Sequence, residues 1–193
     1  MKIIAFNGPP RCGKDTCANL MVDYVTNRTD RPVFKRALSM PLRLMAFGAL
    51  QKQYDEHEFE RLKDQVIPSL GVTMRQFQIG LSERFMKPFY RSDIFPLLMR
   101  ESIPVEARSR DCLVVISDCG FQLEVNSLSL FEGADNIAVC RVLRDGKNFN
   151  NDSRQWVHHI PDRDFEIENN SDLETLNQRV VELAETLNKA WDI

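Results

Sequence analysis

Residues 8–16 read GPPRCGKDT and lie between an apolar run and a helical pattern. The run before them, Ile3 to Phe6, is short and rich in strand-forming side chains. After them, apolar residues recur at helical spacing from Lys14 to about Val25. Because a strand, a glycine-bearing loop and a helix follow one another, we predict a loop whose backbone N–H groups and helix N-terminus face a chain of phosphates.

Three residues of this loop fit the pattern G-x-x-x-x-G-K, namely Gly8, Gly13 and Lys14. The glycines let the backbone wrap around phosphates, and the lysine bridges the outer ones. The next residue is Asp15, where a Ser or Thr usually places a hydroxyl on Mg2+. We expect the Asp15 carboxylate to hold this ion, directly or through water. Thr16 is then free to offer its hydroxyl to the inner phosphate.

Two features of the loop each have two interpretations. Arg11 either contacts a phosphate or is an exposed loop charge. The segment as a whole is either a nucleotide site or a glycine turn before a capped helix that binds nothing. The position of Lys14 favours the nucleotide site, because a lysine there has a mechanism.

Beyond the loop, short runs of strand-forming residues alternate with helical patterns. The runs predicted to be strands are Lys2 to Phe6, Val33 to Ala37, Leu113 to Ile116, Ile137 to Cys140 and Phe165 to Ile167. The third is continuously apolar, as strands buried on both faces of a parallel sheet are. A final helix is expected to begin after Ser171 or Asp172 as its N-cap. The alternation predicts an α/β fold of the P-loop NTPase type, with three layers around a five-stranded parallel sheet.

Two long segments interrupt this alternation. From about residue 55 to residue 102 the pattern stays helical, with breaks at Pro68, Gly71 and Pro88, and it carries no strand signal. Residues 144–163 are polar and irregular, and a loop of such length is commonly functional. We therefore predict one domain, 1–193, with a helical insertion at about 55–102 and a lid at about 144–163.

Two carboxylates follow the third predicted strand. Asp118 comes directly after its apolar residues, so we expect it at the carboxyl end of a central strand, where open α/β sheets bind ligands. The alternative is that Asp118 caps the helix that begins near Gln122. Glu124 either faces the cleft or merely suits the dipole of that helix.

Phosphoryl transfer spreads negative charge over the migrating group, so a site for it needs cations that close over the phosphates. Arg141 and Arg144 follow the fourth predicted strand, and Arg154 and Arg163 lie in the predicted lid. The cations placed to grip an acceptor phosphate from the helical insertion are Arg75, Arg84, Lys87 and Arg91. For each of these side chains the alternative is a solvated surface charge.

Composition excludes several other classes of protein. A net charge of -3 at pH 7 is not that of a general nucleic-acid binder. The five cysteines include no CxxC pair and fit a reduced, cytoplasmic protein without a zinc site. The run Ile3 to Phe6 is too short for a signal peptide or a membrane span. We expect small-molecule ligands, no nucleic acid and no membrane, and a homodimer stays open.

The motifs together resemble those of the P-loop nucleoside monophosphate kinases, most closely the bacteriophage deoxynucleoside monophosphate kinases. GKDT at 13–16, TMRQ at 73–76 and the sequence DCGF at 118–121 followed by Glu124 are similar to elements of that family. Asp152-Ser153-Arg154 resembles its lid, and IENN at 167–170 resembles its closing strand and loop. The resemblance runs nearly end to end and implies ATP-dependent phosphorylation of (deoxy)nucleoside monophosphates in the cytoplasm, the host's if a phage encodes the chain.

The same resemblance implies roles for particular residues. ATP would be bound by Gly8, Arg11, Cys12, Gly13, Lys14, Asp15, Thr16 and Asn169, and the acceptor by Arg75, Gln76, Glu83, Lys87, Asp118, Phe121 and Glu124. Lys14, Arg141, Arg144 and Arg154 would be catalytic, and Asp15 and Asp118 would hold Mg2+.

Two other functions remain open. Other P-loop kinases share the GKD form of the loop, so the acceptor is alternatively a phosphorylated metabolite without a base, such as phosphomevalonate. The chain is otherwise a nucleotide-binding regulator that catalyses nothing, although Lys14, Asp118 and the lid arginines argue against this.

Overall fold

The computed structural model describes residues 1–109, 111–150 and 152–191. Its strands are β1 Lys2–Asn7, β2 Val33–Arg36, β3 Val66–Ile67, β4 Val72–Thr73, β5 Leu113–Cys119, β6 Ile137–Leu143 and β7 Asp164–Glu168. Among the described residues, five of these strands form one parallel sheet in the order β2-β5-β1-β6-β7. The predicted five-stranded parallel sheet and the α/β fold class are thereby confirmed.

The helices lie between these strands and after the last one. They are α1 Lys14–Thr26, α2 Met40–Ala49, α3 Glu56–Leu62, α4 Met74–Leu81, α5 Lys87–Phe89, α6 Ile94–Glu101, α7 Val105–Ser109, α8 Gln122–Glu132 and α9 Leu173–Trp191. A π-helical segment, Ser82–Met86, joins α4 to α5, and 3-10 turns occupy Ala134–Asn136 and Pro161–Arg163. Within the described residues, no helix is both long and apolar enough to span a bilayer.

The central strands are buried because their side chains are apolar on both faces. On one face, Ile4 and Phe6 of β1 share a core with Met21 of α1 and with Val180 and Leu187 of α9. Ile3 and Ala5 alternate with them along β1 and are also fully buried. The chain passes from β1 toward the β2 edge of the sheet and from β6 toward the β7 edge, so the direction of the connections reverses between the neighbouring strands β1 and β6. The loop after β1 is therefore at the switch point where open α/β sheets bind ligands.

An irregularity interrupts the pairing of the two central strands just before they end. Ala5 pairs with Ile116, but Asn7 pairs with Cys119, so β5 has one more residue than β1 between these pairs. The extra residue falls at Ser117 or Asp118. A bulge of this kind re-aims side chains and is common beside functional sites.

The chain forms two compact units, one made of Met1–Leu38 with Met99–Ile193 and the other of Ser39–Leu98. The five-stranded sheet belongs to the first. The second unit has its own small core, formed by Ala46, Phe47, Phe59, Ile67 and Met74.

The second unit contains a strand pair, so the prediction of a middle segment without strands is wrong. β3 and β4 are antiparallel and joined by a turn in which the N–H groups of Leu70 and Gly71 both donate to the carbonyl of Ile67. Gly71 has a φ of 67°, which favours glycine. Two-residue strands are too short to display an alternating pattern, which explains why the sequence contains no signal for them.

Candidate active site

The loop 8–16 leaves β1 and turns into α1 at Gly13. Gly13 has a φ of 106°, and a Cβ atom at this position would collide with the side-chain amide of Asn169. Only glycine fits both constraints. Gly8 and Cys12 are buried, and the Cys12 sulfur lies against Gly8, so the loop is closely packed on its inner side.

Lys14 is the first residue of α1 and is only 6% exposed. Its Nζ donates to the carbonyl of Pro9 at 2.8 Å and lies 3.8 Å from the sulfur of Cys12. Burial lowers the pKa of Lys14, and the positive charge of Arg154 lowers it further, while Cys12, Asp15 and Asp118 act in the opposite direction. The site thus holds a cation whose charge is poorly compensated by the protein, which is an environment that an anion would relieve.

The other loop residues differ in their surroundings. Arg11 is exposed and has a φ of 61°, and no described residue forms a hydrogen bond or ion pair with its side chain. Asp15 is exposed, with Lys35 as a distant partner at 3.9 Å, and Thr16 is half-buried. Their predicted contacts with phosphate and Mg2+ stay predictions.

Asn169 connects the end of the sheet to the loop. It follows β7, its side-chain amide donates to the carbonyl of Cys12 at 2.8 Å, and its backbone N–H donates to the carbonyl of Leu143 at 2.7 Å. In this structure the side chain supports the loop backbone. Contact with ATP itself, which the family resemblance implies, stays a prediction.

Asp118 lies in the bulged end of β5 and is not a helix cap. Its Oδ1 accepts a hydrogen bond from the backbone N–H of Leu38 at 2.7 Å, which ties the chain after β2 to the carboxyl end of β5. Its charge also acts on Lys14 and Arg154. The prediction that Asp118 stands at the carboxyl end of a central strand is confirmed, and its contact with acceptor or Mg2+ stays a prediction.

Glu124 holds the turn between β5 and α8. Its Oε2 accepts hydrogen bonds from the N–H groups of Gly120 at 2.9 Å and Phe121 at 3.0 Å, while its own N–H donates to the Phe121 carbonyl at 2.9 Å. Glu124 therefore caps α8 from the first turn of the helix. Glu124 is 9% exposed and its carboxylate is engaged with the protein, so it stabilises the turn that carries Phe121, which is half-buried.

Arg154 lies against this same turn. A Cβ atom on Gly120 would stand 2.5 Å from the Cγ and Cδ of Arg154, so only glycine leaves room for the arginine. Its guanidinium donates to both carboxylate oxygens of Asp152, and the charges of Asp118 and Glu124 also stabilise it. Arg154, Asp118 and Lys14 are thus coupled electrostatically at one end of the sheet.

Arg141 lies in β6 and Arg144 directly after it, and the surroundings of their side chains differ. Arg141 donates to Asp164 at 2.5 Å, to Glu166 at 3.1 Å and to the carbonyl of Val157 at 3.1 Å, so its guanidinium is engaged in the sheet. Arg144 is exposed, and no described residue pairs with its side chain. Arg144 has the freedom that a mobile cation needs, and Arg141 does not in this arrangement.

Four of the predicted acceptor-binding residues belong to the unit Ser39–Leu98, and each has a partner there. Arg75 pairs with Asp64 at 2.8 Å, and Lys87 pairs with Glu83 at 2.6 Å. Gln76 forms a reciprocal capping box with Thr73 at the start of α4. Burial raises the pKa of Glu83, but hydrogen bonds from Lys87 and Ser82 outweigh it and leave this pKa below its usual value. The acceptor roles of these residues stay predictions.

Two residues that sequence reasoning missed, Asn7 and Gln122, contact the segment after Arg154. The buried side chain of Asn7 bonds to Cys119, Gln155 and Val157, and that of Gln122 bonds to His158. A sequence signal did exist for Asn7. It is a polar residue at the end of an apolar strand and directly precedes Gly8.

The residues near Lys14 are suited to magnesium bound with phosphate. Within the described residues, no group of three or more His, Cys, Asp or Glu side chains could hold a metal ion. Asp15 and Asp118, however, both act on the charge of Lys14. Mg2+ commonly binds through one or two carboxylates and completes its shell with water and phosphate oxygens. This donor set fits such an ion and not a metal held by protein ligands alone.

No protein-family model and no curated protein matches the chain. Three solved structures are similar over nearly the whole length of both chains. A gluconokinase from Sinorhizobium meliloti has 10% identity and a TM-score of 0.40, with 97% of this chain and 96% of that chain covered. A sugar kinase from a Janibacter species has 9% identity and a TM-score of 0.43, with 98% of each chain covered. A shikimate kinase from Bacteroides thetaiotaomicron has 12% identity and a TM-score of 0.36, with 95% of this chain and 98% of that chain covered.

Such TM-scores are too low to support an argument about activity. The fold assignment rests instead on the strand order of the parallel sheet and on the loop between β1 and α1.

Proposed function

We propose that this protein transfers a phosphoryl group from ATP to a (deoxy)nucleoside monophosphate. The observation that carries the proposal is geometric: Lys14 begins the helix after β1, Asp118 lies at the carboxyl end of the neighbouring strand β5, and Arg154 packs against Gly120 directly after β5. Two cations and a carboxylate beside the loop 8–16 suit phosphoryl transfer, because this reaction depends on the positioning of the reactants and on the stabilisation of negative charge.

Lys14 would contact the outer phosphates of ATP. Burial lowers the pKa of its ammonium group in the empty protein, so a phosphate placed there restores the favoured charged form and gains binding energy. The loop N–H groups and the N-terminus of α1 add further positive potential. Asn169, through its bond to the Cys12 carbonyl, keeps the loop open for the phosphates.

Arg154 would neutralise the charge that develops on the transferred group. Its guanidinium is held by Asp152 and lies near Asp118, and its stem lies against Gly120. Mg2+, bound by Asp15 and Asp118 together with phosphate oxygens, would supply additional positive charge. Arg144, exposed and without a partner among the described residues, would close over the phosphates from the segment 144–163.

The choice of a monophosphate acceptor rests on the DCGF turn with Glu124 and on the cations Arg75 and Lys87. Both cations are in ion pairs with exposed carboxylates, Asp64 and Glu83. The Arg75–Asp64 pair is exposed on both sides, and such pairs contribute only about 0–1 kcal/mol, so a doubly charged phosphate can replace this carboxylate at small cost.

An acceptor panel tests this function. The purified chain is incubated with ATP and Mg2+ and with ribo- and deoxynucleoside monophosphates of each base, next to phosphomevalonate, gluconate and shikimate, and the products are separated by chromatography. We expect diphosphates from some nucleotides and a difference of at least about tenfold in kcat/KM between bases, because the wrong base leaves buried hydrogen-bonding groups unpaired.

Two variants accompany the panel. Lys14→Met keeps the length of the side chain without its charge and should lower kcat at least about 100-fold, the scale on which charge-stabilising groups act. Lys189→Ala removes an exposed lysine from α9 and should change nothing. Product only from an acceptor without a base would replace the nucleotide assignment, and silence of the wild-type chain across the panel would refute the kinase.

A further inference from the structure

Residues 154–159, which we name the docked strip, form neither helix nor strand and precede the turn Pro161–Arg163. The strip belongs to the segment predicted as a lid, yet Val157 is completely buried. The N–H of Gln155 donates to the carbonyl of Gly120 at 3.0 Å, and the N–H of His159 donates to Asp164 at 3.2 Å. A polar loop that was free to open would leave these groups to water.

Asn7 holds the middle of this strip by hydrogen bonds. It is fully buried at the end of β1, and its three hydrogen bonds use both ends of its amide. The Nδ2 donates to the carbonyl of Cys119 at 2.9 Å and to the carbonyl of Gln155 at 3.0 Å, and the Oδ1 accepts from the N–H of Val157 at 3.2 Å. One side chain thus joins β1, the end of β5 and two residues of the strip.

Gln122 fastens the strip a second time, from the first residue of α8. Its Nε2 donates to the carbonyl of His158 at 2.9 Å, and its Oε1 accepts from the N–H of His158 at 3.0 Å. Arg141 of β6 donates to the carbonyl of Val157 at 3.1 Å. The strip is therefore bonded to side chains of three different elements, β1, α8 and β6.

Arg154 begins the strip, directly before Gln155. Its stem fills the space that Gly120 leaves open, and Gly120 accepts the bond from Gln155. The stem of Arg154 beside Gly120 is thus placed by a backbone that Asn7 holds one residue further along. A loss of the Asn7 bonds would free the backbone that orients the guanidinium.

We propose that Asn7 is a positioning residue, which holds the docked strip and through it the Arg154 guanidinium at the phosphate loop. The effect of Asn7 on catalysis rests on the proposed function, whereas its hydrogen bonds to the strip do not. The hydrogen bonds of the strip make it a fixed wall of the site.

The experiment compares Asn7→Ala, Asn7→Asp, Arg154→Ala and the double variant Asn7→Ala with Arg154→Ala. Asn7→Asp has the same shape but turns an acceptor oxygen toward the carbonyls of Cys119 and Gln155, so it removes both donated bonds without a cavity. The matched control is Asn136→Ala, since Asn136 also bonds through both ends of its amide, to Lys2 and to the carbonyl of Glu132. Asn136 directly precedes β6 and so lies at the amino ends of the strands, whereas Asn7 lies at their carboxyl ends.

Hydrogen exchange of the strip amides and steady-state kinetics are measured on each protein. Asn7→Ala should speed exchange of the Val157 N–H at least about tenfold, because its bond to the Asn7 Oδ1 is lost. Both Asn7 variants should speed exchange of the Gln155 N–H, which donates to Gly120, because the strip loses the bond that the Asn7 Nδ2 donates to the Gln155 carbonyl. They should lower kcat by about 10- to 100-fold with KM for ATP changed less than about threefold, since misplacement of a charge-stabilising group acts mainly on the chemical step. Asn136→Ala should do neither.

The double variant separates positioning from general damage. If Asn7 acts through Arg154, the double variant should be no slower than Arg154→Ala alone, whereas multiplied losses would overturn the inference. Unchanged exchange in the Asn7 variants would overturn it as well. A wild-type protein without activity would refute the proposed function. Faster hydrogen exchange in the Asn7 variants would still support the claim that Asn7 holds the strip by hydrogen bonds. Should Asn7→Ala not fold, Gln122→Ala must show the same dependence on Arg154.

Discussion

At the scale of single residues, the candidate site contains charged groups that are mostly engaged with the protein and one that is poorly compensated. Glu124 accepts two backbone N–H groups, and Arg154 is bound by Asp152. Lys14 is different, because burial disfavours its ammonium form and the Pro9 carbonyl is its close oxygen partner. Such a residue lowers the free energy of unfolding when the site is empty, and a bound anion removes this loss. This behaviour is typical of a functional position.

Lys14→Met should therefore stabilise the empty protein and remove its response to ATP. The substitution keeps the side-chain volume and removes a charge whose burial is unfavourable, so the Tm of the free variant should exceed that of wild type. With ATP at 100 times its Kd, wild type should gain roughly 5–10 °C, which corresponds to about 2.7 kcal/mol. The variant should gain much less, as measured by scanning calorimetry with Mg2+ present.

Lys189→Ala is the control for this measurement, because it removes an exposed lysine and should leave both Tm values as in wild type. A fall in the Tm of the empty Lys14→Met protein would contradict the idea that the buried charge is a cost.

At the scale of elements, the sequence predicts where regular structure occurs better than where it is interrupted. Continuous apolar runs locate β1 and β5, and the leucine spacing locates α9. The bulge at the end of β5 leaves no mark on the sequence, because it depends on the pairing between Ala5 and Ile116 and between Asn7 and Cys119. The ends of elements depend in the same way on partners that are distant along the chain.

The candidate site likewise contains residues that the sequence predicts and contacts that it does not. The loop glycines and Lys14 follow from a local motif, and Asp118 follows from its place after an apolar run. The fastening of the strip by Asn7 joins residues about 150 positions apart and has no local signature. The sequence also leaves open how Arg141 and Arg144 differ, since the engagement of Arg141 depends on β7, which only the folded sheet brings beside it.

Asp172 is the capping residue of α9, and its contribution should depend on pH. Its Oδ1 accepts the N–H of Thr175 at 2.9 Å, and this backbone hydrogen bond is the main reason that the pKa of Asp172 lies below its ordinary value of 3.8. A carboxylate with a lowered pKa in the folded state stabilises it above the unfolded pKa, and the effect is lost as pH falls through the folded pKa. Asp172→Ala should lower Tm at pH 7, and the difference from wild type should shrink below about pH 3.8.

Asp172→Asn retains an acceptor oxygen without a titrating charge, so its Tm should lie between those of wild type and Asp172→Ala at pH 7. Thermal unfolding followed by circular dichroism from pH 3 to pH 7 checks both variants. An equal loss for Asp172→Ala across this range would show that the carboxylate charge does not stabilise the helix.

At the scale of the whole molecule, the reactivity of the cysteines depends on how closely the sheet and its helices pack, because all five thiols are buried. Cys12, Cys17 and Cys140 lie in the core between the sheet and the helices α1 and α9. Cys112 and Cys119 flank or end β5 and are also buried. Burial is the largest cause that raises the pKa of every one of these thiols, to about 12 for Cys17. A fold closed around its thiols in this way should protect all of them together.

We therefore expect the native protein to be nearly inert toward a thiol reagent at pH 8, and all five thiols to react at once when the chain unfolds. A thiol with a pKa of about 12 is ionised in only about one molecule in ten thousand at pH 8, and burial blocks the reagent besides. Labelling with a chromogenic disulfide should release about five equivalents in guanidinium chloride, and in native buffer its rate should follow the rate of unfolding. ATP should slow it further by stabilising the folded state. Rapid reaction of one thiol in native buffer, unaffected by ATP, would show that the packing around that cysteine opens without unfolding of the sheet.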